Sequence, residues 1–192
     1  MCIRDRFYFA DRNAAVEFAA EAARATSQAP AVLGACRALA VALHAALSGQ
    51  GKQAIVAQAQ AVLSAPDSQG VIAAAGGTAG GAPTLRAGGG AGTPATSHSG
   101  EAARARLRGA TAHAALGAAL EIFDRSDNLR DAVLAAANLG GNCDVVAGAA
   151  GALAGAHYTA SAIPSSWRNS LMKKDLLEGF ADRLLAHALV QL

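Results

Sequence analysis

The chain has 192 residues and a net charge of +2. Hydrophobic residues make up 53% of it but aromatic residues only 4%, so any core must be assembled from Ala, Leu and Val with backbones in close approach. The charge is too mild to argue for a nucleic-acid partner or an anionic membrane, and Cys2, Cys36 and Cys143 support neither a disulfide scaffold nor a zinc site.

Alanine is the best helix former, and strand-favouring aromatic and β-branched runs are scarce, so the expected class is all-α. The cysteine pattern points to a reducing compartment, the cytoplasm. The opening MCIRDRFYFADR carries Arg4, Asp5, Arg6, Asp11 and Arg12 and lacks the uninterrupted apolar region of a signal peptide. Residues 145–156 are read as the longest apolar run, too short to span a membrane.

In chain order, a first helix is expected over residues 10–25, with Ala15, Phe18, Ala19 and Ala22 at helical spacing. TSQAP (26–30) breaks it, and Pro30 suits the first turn of a second helix over 30–47. Ser48-Gly49 stops that helix. A third covers 52–63 and ends at Ala65-Pro66. Residues 73–100 are rich in Gly, Ala, Thr and Pro without any period, which predicts a flexible insertion. A glycine-rich phosphate loop is the sharper alternative, but the segment lacks the GxxxxGK[ST] pattern and a preceding strand.

Helical pattern resumes at Glu101 and runs to Phe123; Arg104, Arg106 and Arg108 fit a solvated face better than a phosphate clamp. Ser126 or Asp127 offers a cap for a helix reaching Leu139. Gly140-Gly141 fits a left-handed helix end that reverses the chain. Asp144 is expected to cap the next helix, from Val145, whose Gly148, Gly151 and Gly155 give a flat side for a neighbour. AIPSSW (162–167) is read as a turn, with room for a short helix after it. The last helix, 173–190, carries Leu176, Leu177, Phe180, Leu184 and Leu185 on its apolar face.

A carboxylate at a helix start beside a glycine turn suits a hard cation such as Mg²⁺, with the Asn142 carbonyl as a weaker neutral ligand. Capping alone would explain the same residue, and pattern by itself favours that plainer reading. Resemblance adds to this. SDNLRDAVLAAANLGGNCDVVAGAAGALAGAHYTASAIPSSWRNSL, with FADRLL (180–185) after it, resembles the C-terminal signature of the ADP-ribosylglycohydrolase family. That family includes ADP-ribosylarginine hydrolases and the dinitrogenase reductase-activating glycohydrolase. Residues 23–49 resemble its Thr-His-x-x-Pro segment and following helix, and residues 108–123 its Gly-Tyr helix. The resemblance spans residues 10–190 apart from 73–100.

The resemblance implies a compact all-α orthogonal helix bundle and a hydrolase that uses two Mg²⁺ ions. Water would cleave the bond from ADP-ribose to a protein side chain or small acceptor, so the implied partners are ADP-ribosylated proteins or ADP-ribosyl small molecules. Two close dications need several anionic ligands. The family draws these from a Thr-Asp-Asp motif in its N-terminal part and an Asp-x-Asp-Thr motif near its C-terminus.

The chain contains no Thr-Asp-Asp motif. It is expected to lack the family's N-terminal part, with residues 1–9 a leader outside the family pattern, of the kind a metagenomic assembly leaves. Asn142 stands where the first motif Asp belongs, Val145 where the Thr belongs, Ser27 for the His of Thr-His-x-x-Pro and Ala110 for the Gly-Tyr aromatic. Asp144 alone keeps its chemistry. The implied metal ligands are Asp144 and the weakened Asn142, the implied substrate contacts Ser27, Gly140 and Gly141, and no catalytic residue is assigned. His44, His113, His157 and His187 do not rebuild a site by spacing. Asp144 is thus read both as a cap and as the remnant of a two-metal site. Two functions stay open: a family hydrolase, inactive as this chain, and a non-catalytic, crystallin-like relative that keeps the scaffold for binding or structure.

Overall fold

The computed structural model describes residues 11–65 and 111–190. All described elements are helical, with no strand among the described residues. Helix α1 (Arg12–Arg24) starts where the Asp11 carboxylate accepts the Ala14 amide at 2.8 Å. Helix α2 (Pro30–Leu47) opens on Pro30, whose missing N–H would have had no helical partner there. It stops at Ser48, with Gly49 in the left-handed region at φ +74°. Helix α3 (Lys52–Leu63) follows directly. These three match the sequence expectation closely, because each boundary is set by a breaker or cap within a few residues of it.

The insertion at 73–100, the leader at 1–9 and the arginines at 104–108 lie outside the described residues. Helix α4 (Ala112–Arg125) is capped by Thr111, whose hydroxyl accepts the Ala114 amide at 3.3 Å. The next cap is neither Ser126 nor Asp127. It is Asn128, which accepts the Asp131 amide at 2.9 Å and donates back to the Asp131 carboxylate at 2.8 Å. Ser126 is unavailable because its hydroxyl turns back to donate to the Ile122 carbonyl at 2.7 Å. Helix α5 (Leu129–Ala137) is accordingly short, ending before Leu139.

Helix α6 (Cys143–Tyr158) begins two residues earlier than expected. Asn142 holds the cap position, and its carbonyl accepts the Val146 amide at 3.2 Å. Asp144 therefore sits inside the first turn rather than capping it. A 3₁₀ turn (Ala160–Ala162), helix α7 (Ser165–Ser170) and helix α8 (Lys174–Val190) complete the described chain.

Packing centres on α6. A Cβ placed at Gly151 would stand 3.4 Å from Val133 Cγ2, and one at Gly155 would stand 4.0 Å from Leu129 Cδ1. Helix α5 thus runs antiparallel along the glycine side of α6, as close approach without side chains allows. Gly148 meets nothing and is exposed, so only two of the three expected glycines serve this contact. Helix α4 runs in the same direction as α6: Ala115 and Ala119 cluster with Val146 and Ala150, and Phe123 meets His157 and Tyr158. The larger core gathers Leu43, Ile55, Leu120, Phe123 and Leu153, all 1% exposed or less.

One sequence expectation needs correcting. Helix α2 is 18 residues with a mean hydropathy of 1.6, long and apolar enough to cross a membrane. Half of that window is buried within the fold, since Ala38, Val41, Ala42 and Leu43 pack into the core. The helix is apolar on most sides because α1, α3, α4 and α6 all pack on it.

Candidate functional site

The turn between α5 and α6 carries most of the sequence-predicted residues. Asn138 ends α5, its side-chain amide donating to the Leu134 carbonyl at 2.8 Å. Gly140 and Gly141 then take φ values of +74° and +62°. Two consecutive left-handed residues are readily accessible only to glycine, and they turn the chain back so that α6 can lie along α5. Val146 is fully buried and fixes the rotation of the first turn of α6. Asp144, two positions earlier and therefore some 200° around the helix, is exposed. Val145 is 54% exposed beside it.

Gly140, Gly141, Asn142 and Asp144 are thus held together on one turn. Asn142 makes no side-chain capping bond to α6, and Cys143 is a free, half-buried thiol. Ser27 belongs to another part of the fold. Its hydroxyl accepts the Ala29 amide at 3.3 Å in the turn before α2, which explains its presence there without a ligand.

The donor set decides what this turn can hold. Mg²⁺ takes oxygen ligands in near-octahedral order, commonly with one or two carboxylates and several waters. Here one carboxylate is joined by a neutral carboxamide, a soft thiol and an apolar valine. Among the described residues no three His, Cys, Asp or Glu side chains group closely enough to hold a metal. These residues do not fit a two-Mg²⁺ centre. His157 cannot help, because about 20 Å of helix rise separates it from Asp144.

At the far end of α6 lies a second cluster. Lys52 Nζ donates to the Asp124 carbonyl at 2.9 Å and also to the Ser126 carbonyl. It lies 5.6 Å from the Phe123 ring centroid and 5.8 Å from that of Tyr158. The Tyr158 hydroxyl donates to the same Ser126 carbonyl at 2.7 Å, and His157 packs edge-on to both rings. Helices α3, α4 and α6 are joined here. Sequence reasoning missed Lys52, although one signal existed. A lysine on the first turn of a helix opposes its own helix dipole; Lys52 does so because its charge serves the carbonyl end of α4.

Comparison with known proteins follows the same lines. Residues 3–191 match the family described as ADP-ribosylglycohydrolase. Over 69 residues the chain is 41% identical to the ADP-ribosylarginine hydrolase Tri1 of Serratia proteamaculans (strain 568), a match covering 36% of this chain and 19% of that protein. A solved structure titled ADP-ribosylglycohydrolase-related protein complex superposes with a TM-score of 0.66 at 26% identity, covering 95% of this chain and 56% of that one. The match thus takes in about half of the solved relative's length and about a fifth of the hydrolase's.

Proposed function

Because the chain belongs to the ADP-ribosylglycohydrolase family, we propose that its scaffold serves hydrolysis of the bond between ADP-ribose and an acceptor. An arginine side chain is the first acceptor to test, since the hydrolase it resembles is named for that substrate. The observation that carries this reading is the α5–α6 turn, where two left-handed glycines present the exposed Asp144 on the first turn of α6. In this role Asp144 accepts hydrogen bonds from ribose hydroxyls or from the attacking water. Gly140 and Gly141, lacking side chains, let a ligand approach the backbone closely. In the reaction the water oxygen bonds to the anomeric carbon and the acceptor nitrogen leaves with a proton. No step runs through Mg²⁺, because the described donor set does not fit it. This chain is expected to bind Mg²⁺ only in the millimolar range or weaker, on the order of weak extracellular Ca²⁺ modules.

A second reading is a non-catalytic relative that binds or scaffolds. Asn142 and Val145 favour it, since neither offers the charge or hydroxyl of the family motif. Release of ADP-ribose from ADP-ribosylarginine, followed by chromatography, separates the two. On the hydrolase reading this chain alone is inactive, and it releases ADP-ribose when extended with the part of the solved relative that it does not match. Asp144→Asn then abolishes release while folding stability changes by less than about 0.5 kcal/mol, as for a surface substitution. Full activity in Asp144→Asn would remove Asp144 from the site. No release by that extended chain, with ADP-ribose binding retained in calorimetry, would establish the scaffold reading instead.

A further inference from the structure

We draw no further inference here: the strongest candidate, the half-exposed apolar patch of Leu176, Leu177, Phe180 and Leu185 on helix α8, carries none, because nothing in the structure shows what covers it.

Discussion

Replacing Lys52 with Met keeps most of the aliphatic stem and removes the ammonium. Two charged hydrogen bonds are lost, to the Asp124 and Ser126 carbonyls, along with the ammonium's position over the Phe123 and Tyr158 rings. A hydrogen bond to a charged group contributes roughly 1.5–3 kcal/mol net, and a cation–π contact at a partly exposed site about 0.5–1 kcal/mol. The Asp124 bond lies at the exposed edge, where water replaces it. The Ser126 carbonyl keeps the Tyr158 hydroxyl as a partner. The expected loss for Lys52→Met is therefore near the low end, about 2 kcal/mol, or roughly 4–8 °C in Tm for a chain of this size. Tyr158→Phe alone should cost about 1 kcal/mol. The double variant removes both donors from the carbonyl of Ser126, a residue 8% exposed, and should exceed the sum of the singles by about 1 kcal/mol. Urea unfolding of all four proteins measures the cycle. A single-variant loss below about 0.5 kcal/mol, or strict additivity, would refute the shared-acceptor argument.

Asn128→Ala removes both halves of the reciprocal cap on α5 and should cost about 1 kcal/mol, whereas Asp127→Ala should cost far less; chemical denaturation of the pair checks which residue caps. At Gly151 the 3.4 Å clearance to Val133 is ordinary contact. Gly151→Ala should therefore stabilise by up to about 0.5–1 kcal/mol through helix propensity, and Gly151→Leu should destabilise by about 1–3 kcal/mol, both read from thermal melts. Thr159 holds φ +72° and ψ 169°, a region nearly reserved for glycine. Thr159→Gly should raise stability by about 1 kcal/mol despite losing the 2.8 Å contact with Ser161; a lowered melting temperature would contradict strain at this residue.

Much of the helical layout is legible in the sequence because helix boundaries are local. Pro30, Gly49 and Gly140-Gly141 act through the conformations of their own backbones, and Ala-rich segments between them have no better option than helix. The glycine turn at residues 138–145 is legible for the same reason: one short turn places its residues together whatever the rest of the chain does. The choice among adjacent caps is less so. Ser126, Asp127 and Asn128 all suit the role by type, and the winner depends on the helix before them, which takes the Ser126 hydroxyl for its own last carbonyls.

Tertiary structure alone decided three things. It turned Val146 inward against α4 and α5 and so left Asp144 exposed, with no metal-binding group of three acids, histidines or cysteines among the described residues. It brought Lys52 to a carbonyl 74 residues away, a pairing with no local pattern because it arises only when three helix ends meet. It also left the apolar side chains of α8 about half exposed, with Arg168 of α7 tied to its Glu178. Periodicity shows that α8 has an apolar face, but what covers a face is settled by the packing of distant elements, and their arrangement is not written in any window of the chain.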